Sequence, residues 1–354
     1  MKRTLLFVFA IAFSVICLWF MFRNVNLPEV GAIISERASA WPWFLLSGLV
    51  MMLNIIFRGF RYKYILSEYP QISLKSSVTM TAIMFMGNSI FPFRAGEAIR
   101  VFIPVKKFGI PLASSASCHG ADRLFDLVGL LAVLFLSLFF AGESIAADAR
   151  TAPIEFFGAE YTLNGLITGL QNSSITILVI GLTGVVAVFA FPKALKRLLG
   201  GVARPFGKDW ETKATELVDH IRSGTAVFKS PKNIFWATFW TGMIWWMVIV
   251  NVQIISSVFE ESLSWGQAGI VSFVVAAAVT LPQAPGYVGS FQLGCMIALN
   301  LCFGVDEAVA LAIAWMIWCF QIFPVILLGF IAMFVEGMSF RSFSEARESL
   351  EDEE

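Results

Sequence analysis

Histidine is nearly absent from these 354 residues: only His119 and His220 occur, too few for a catalytic metal cluster. The five cysteines (Cys17, Cys118, Cys295, Cys302 and Cys319) form no CxxC pair and lie in or beside apolar segments. They support neither a disulfide framework nor a zinc site. Charge is scarce too. Asp, Glu, Lys and Arg make up 14% of the chain, against about 25% in a soluble domain. Net charge is zero, which gives no pull toward nucleic acid. A phosphate-binding glycine loop of the P-loop type is missing, so nucleotide hydrolysis supplies no energy here, and no cofactor is expected. The polar stretches at 142–172 and 192–233 are shorter than the roughly 50–200 residues of an ordinary catalytic domain.

What is abundant is hydrophobicity. Apolar residues make up 58% of the sequence, and mean hydropathy is +0.77. Such a chain belongs in a bilayer, where a spanning helix needs about 20 mostly apolar residues. Six segments qualify: 4–22, 41–60, 113–140, 173–191, 234–259 and 308–335. The first is longer than the roughly 7–15 apolar residues of a signal peptide and reads as a retained helix. Two further apolar regions, 78–105 and 266–303, are broken. Pro92 and Gly96 cut the first; Pro282, Pro285, Gly286 and Gly289 cut the second. Each half is short for a crossing, so each region reads as a re-entrant hairpin.

The distribution of Lys and Arg supports this reading. Lys2 and Arg3 place the N-terminus in the cytoplasm, as do Arg58, Arg61 and Lys63 for the end of the second helix. A hairpin at 78–105 keeps Lys106 and Lys107 inside, whereas a full crossing puts them outside. The segment 193–233 holds nine Lys/Arg against four Asp/Glu and is cytoplasmic. Glu260 and Glu261 are then external, the second hairpin dips in from outside, and the C-terminus lies in the cytoplasm. Helix–hairpin–helix thus occurs twice with opposite orientation. In both hairpins proline is followed by glycine four residues on. The expected fold is an all-α polytopic membrane protein, with six spans and two broken hairpins in an inverted repeat. Residues 211–228 add an amphipathic surface helix.

Charge inside such a protein needs a reason. Arg94, Glu97 and Arg100 recur every three residues, on one side of a helix begun after Pro92. Asp122, Arg123 and Asp126 follow in the next span. The uncharged run 127–141 covers only about 22 Å at 1.5 Å per residue, so Arg123 and Asp126 lie at or within the edge of a hydrocarbon core about 30 Å thick. Two readings stay open. One is an ion-pair network pinning the hairpin to the helix. The other is a headgroup site, in which Arg94, Arg100 and Arg123 bind a phosphate while Glu97 and Asp126 position them or receive a cationic group. In the second hairpin, Gln283 and Gln292 are the polar groups available to line a cavity; kinked packing between small residues is the alternative. Asn54, Arg58, Asn251, Gln253 and Gln321 can line the same path or bond between helices.

"PFRAGEAIR", "ADRLFD" and "PGYVGSFQ", in that order, resemble the transmembrane domain of lysylphosphatidylglycerol synthase, the flippase-like family. The resemblance runs over nearly the whole chain. Pro92, Arg94, Gly96, Glu97 and Arg100 match its first motif, and Arg123 and Asp126 its second. Asp122 stands where glutamate is common. Gln292 stands where the family often has glutamate, and Tyr287 where it often has glycine. The resemblance implies an inner-membrane protein that moves a phospholipid or polyprenyl-linked lipid between leaflets. Its partners would be a membrane lipid, with an anionic or zwitterionic headgroup, and a lipid- or glycan-synthesis enzyme. The chain carries no aminoacyl-transferase domain, so lipid aminoacylation is not expected of it. A membrane-embedded enzyme or accessory acting on a polyprenyl-phosphate sugar is the other expectation.

Overall fold

A computed structural model describes residues 27–91, 94–141, 153–156, 159–162, 192–204, 226–280 and 285–338. The expected spans 4–22 and 173–191, most of the surface helix 211–228, the breakers Pro92 and Pro282, and the expected lining residue Gln283 lie outside these residues.

The described chain is helical. It comprises α1 (Leu27–Glu36), α2 (Trp41–Ile65), α3 (Leu74–Ile90), α4 (Ala95–Phe108), α5 (Leu112–Ala141), α6 (Pro192–Ala203), α7 (Pro231–Val258), α8 (Trp265–Ala278), α9 (Ser290–Met296) and α10 (Glu307–Glu336). A short antiparallel pair, β1 (Pro153–Phe156) with β2 (Ala159–Thr162), is the non-helical exception. Helix α1 has no counterpart in the hydropathy reading, because ten residues are too few to register as a span. Four stretches are long and apolar enough to cross a bilayer: Ala38–Ile65, Leu112–Phe140, Pro231–Val258 and Glu307–Glu336. They carry a lipid-facing coat of exposed Trp41, Trp43, Phe139, Phe140, Phe330 and Phe334, a surface that a soluble monomer would not leave open to water.

Local chemistry fixes where the short helices begin. The Ser73 hydroxyl accepts from the Ser76 N–H at 3.1 Å, starting α3. Ser264 and Gln267 form a reciprocal capping box at α8, satisfying two backbone donors that a helix start leaves open. Asp306 accepts from the backbone N–H groups of Ala308 and Val309 at α10.

Both broken regions reverse direction. In the first, Arg100 on α4 reaches Met84 on α3 at 3.5 Å. A Cβ on Gly96 would stand 1.9 Å from the Met84 carbonyl oxygen, so only glycine lets these two helices touch. In the second, a Cβ on Gly294 in α9 would meet Ala278 and Val275 of α8 at 3.0 Å. Helix α9 then runs into a π-helical turn, Ile297–Cys302.

Each hairpin has its own core. Ile83, Met86, Ile99 and Ile103 pack with α2 and α5 in one cluster. Phe291, Cys295 and Leu299 pack with α7, α8 and the first half of α10 in the other. The hairpin tips meet between the two clusters. Arg94 donates to the Val279 carbonyl at 2.7 Å, and Gly286 lies beside the Ser89 carbonyl. From α10, the indole N–H of Trp318 anchors the second tip by donating to the Gly286 carbonyl at 2.6 Å.

Candidate functional site

Matched backbone conformations shape the two tips. Arg94 (φ 53°) and Tyr287 (φ 62°) are two of three non-glycine residues with positive φ among the described residues. Each stands two positions after a proline in the sequence, Pro92 and Pro285. The left-handed region costs an L-residue roughly 1–2 kcal/mol, so each tip is held there by its surroundings. The conformation also explains why glycine suits the position of Tyr287. Gly289, at φ 93°, donates its N–H to Gln292 Oε1 at 2.8 Å. Gln292 is wholly buried in this capping role and does not line the cavity described next. A carboxylate oxygen could accept the same bond.

Between the tips lies a cavity of about 340 Å³. One end is walled by Arg58, Arg94, Glu97, Arg123 and Asp126; Asn54, Asn88, Asn251 and Gln321 contribute neutral polar groups, and Phe85, Tyr287 and Phe291 apolar ones. Helix α2 supplies Asn54 and Arg58, the first hairpin Asn88, Arg94 and Glu97, and α5 Arg123 and Asp126. The charged groups lie on three different elements, so no one motif contains the site.

The cluster has two layers. In the inner one, Asp122 accepts from Arg61 Nε at 2.9 Å and from Arg100 at 2.7 Å. All three side chains are fully enclosed, and the Arg100 guanidinium lies 3.6 Å over the Tyr62 ring. In the outer layer, Arg58 donates to both Asp126 oxygens at 2.9 and 3.1 Å and to Asn54 at 2.9 Å. Arg61 bridges the layers through Asp126 at 2.7 Å. Arg123 reaches Asp122 at 3.2 Å, Asp126 at 3.3 Å and Glu97 at 3.8 Å. Glu97 also faces Arg94 at 3.6 Å and His119 at 3.4 Å. Arg94 and Arg123 keep 33% and 30% of their side-chain surface accessible, and Glu97 keeps 26%. These are the groups a ligand can reach.

Five guanidinium groups thus stand against three carboxylates, leaving two positive charges unbalanced among the described residues. A set meant only to pin helices together would balance its charges, because an unpaired cation in low dielectric is costly. One unit of the surplus belongs to the enclosed group of Arg61, Arg100 and Asp122, and the other to the cavity wall, where Arg58, Arg94 and Arg123 face Glu97 and Asp126. An anion in the cavity would neutralise the wall and lie next to the rest.

The expected site residues therefore separate. Arg94, Glu97, Arg123 and Asp126 line the cavity. Arg100 does not: it sits behind the wall, bound to Asp122 and stacked on Tyr62, so the expectation that it grips a headgroup does not fit its position. Gly96 permits the hairpin closure, and Pro285 and Gly286 form the second tip within a 3-10 turn. Gln253 donates to the Leu263 carbonyl at 2.8 Å, away from the cavity. Arg61 reads in the sequence only as a flanking cytoplasmic charge, yet it joins both aspartates. The available signal was spacing: Arg58/Arg61 and Asp122/Asp126 are two pairs, each about one helical turn apart, of opposite sign.

A family model described as the lysylphosphatidylglycerol synthase TM region matches residues 7–329. The chain belongs to that family. This member is 22% identical over 326 residues to a glycosyltransferase, AglD, from Haloferax volcanii; the match covers 88% of this chain and 51% of that protein. The chain thus spans about half the length of the curated relative. No solved structure matches it. Membership in the lysylphosphatidylglycerol synthase TM region family, together with four long apolar helices, makes the chain a multi-pass membrane protein from a family named for a lipid synthase.

Proposed function

We propose that the protein translocates a lipid between membrane leaflets, with the headgroup phosphate carried in the cavity between the hairpin tips. The observation that carries this is the surplus of guanidinium charge on an accessible cavity wall, where Arg94 and Arg123 can offer forked donors to a phosphate. In this reading the two broken helices are re-entrant and enter from opposite faces, as their flanking charges favour. The protein resides in the inner membrane with both termini cytoplasmic. Acyl or prenyl chains stay in the bilayer while the headgroup crosses, which removes the cost of dragging charge through hydrocarbon. Rocking of the two repeats, each with its own core, exposes the cavity to each side in turn.

The test is lipid transfer in proteoliposomes holding headgroup-labelled lipids, for wild type and Arg94→Ala. Lipid-selective transfer in wild type, lost in a variant that keeps its folded elution profile and helicity, is the expected result. Transfer unaffected by the substitution would return Arg94 to a structural role. Complete absence of transfer for every lipid would overturn the translocator.

A second reading rests on the glycosyltransferase of Haloferax volcanii, which shares this region as about half of its length. The chain would then present a polyprenyl-phosphate sugar to an enzyme, or act on it, with Glu97 or Asp126 as a base. Binding of such a lipid without its transfer across proteoliposomes would favour this reading.

A further inference from the structure

The charge balance of the cavity also bears on which headgroup fits, an inference that rests on the phosphate site proposed above. We infer that the ligand carries a dianionic terminal phosphate, a phosphomonoester on a lipid, and not a zwitterionic headgroup. Three observations support this. First, the cluster as a whole carries two surplus positive charges, one on the cavity wall and one in the enclosed layer behind it, so a dianion balances the cluster, a monoanionic diester leaves one charge, and a zwitterion leaves both. Second, an ammonium group at either cavity-lining carboxylate would meet cations already there. Asp126 is held by Arg58, Arg61 and Arg123, and Glu97 faces Arg94, Arg123 and His119. Third, the positively polarised start of the 14-residue helix α4 lies at Arg94 and adds to the same field. A terminal phosphate also presents three oxygens, enough for both accessible guanidinium groups at once, whereas a diester has only two unesterified ones.

The experiment is isothermal titration of the full chain in detergent with phosphatidic acid, phosphatidylglycerol and phosphatidylethanolamine of identical acyl chains, and with inorganic phosphate. One unit of uncompensated charge in a partly buried site is worth about 1.4 kcal/mol or more, so each step down in headgroup charge should weaken binding by about tenfold. Phosphatidic acid should bind tightest and phosphatidylethanolamine weakest. Arg123→Gln, which leaves a single surplus charge, should narrow the gap between phosphatidic acid and phosphatidylglycerol. Arg94→Gln, at the most accessible arginine of the cluster, should do the same and serves if the first variant misfolds. Equal affinity for the three lipids would overturn the inference and leave phosphate recognition standing. Inorganic phosphate binding as tightly as phosphatidic acid would refute the lipid ligand. Absence of binding by any phosphate compound would sink the inference and the phosphate site together.

Discussion

Asp122→Asn offers the sharpest test of how the cluster is built. The substitution keeps volume and removes one charge from a fully enclosed side chain that holds Arg61, Arg100 and Arg123. Arg61 retains Asp126 at 2.7 Å, and Arg123 retains Asp126 and Glu97. Arg100 has no second carboxylate: it is left with the Tyr62 ring and the Met84 sulfur. Removing one member of a buried pair costs about 3–5 kcal/mol, because the remaining charge stays buried and uncompensated. Unfolding of the purified protein in detergent by titrated dodecyl sulfate, followed by helical circular dichroism, reads this directly. Arg100→Met on the same background removes the orphaned cation and should recover at least half of the loss. Stability of Asp122→Asn within about 1 kcal/mol of wild type would refute the reasoning, as would a double variant that is less stable than the single one.

Other outcomes follow from the same geometry. Gly96→Ala should destabilise by about 1–3 kcal/mol, since its methyl meets the Met84 carbonyl at 1.9 Å; the same unfolding measurement checks it. Lys107→Ala should loosen the base of the first hairpin, because Lys107 and Thr79 both bond Glu336, which ties that hairpin to α10. Faster modification of a cysteine placed at position 75 on the facing helix would report that loosening. Arg37→Ala should change stability by at most about 1 kcal/mol, since its Glu260 partner is largely exposed. A larger loss would show that the surface pair does more than its exposure allows.

How much was legible in advance differs from element to element. The long helices follow from hydropathy, because burying twenty apolar residues in a bilayer is a local property of the chain. The interruption between α3 and α4 and the turn at Pro285 are local too, since both fall at prolines in the sequence and proline lacks the amide a helix needs. The short helix α1 and the small β-hairpin give no such signal. The candidate site was legible in part. Arg94, Glu97, Arg123 and Asp126 could be picked out as charge in the wrong solvent, but their division from Arg100 could not.

Sequence alone therefore determined the solvent of this protein, its helical class and the places where its helices break. It also singled out the charged residues that need an explanation. Which arginine faces the cavity, and which is locked behind it, was decided by tertiary structure. Arg94 and Arg100 are six residues apart on one short segment, yet one reaches the opposite hairpin and the other is enclosed by α2 and α5. Spacing along a helix gives the side on which a residue lies, but burial depends on what packs against that side. Here the packing comes from residues such as Tyr62 and Asp122, and local sequence carries no record of that distance.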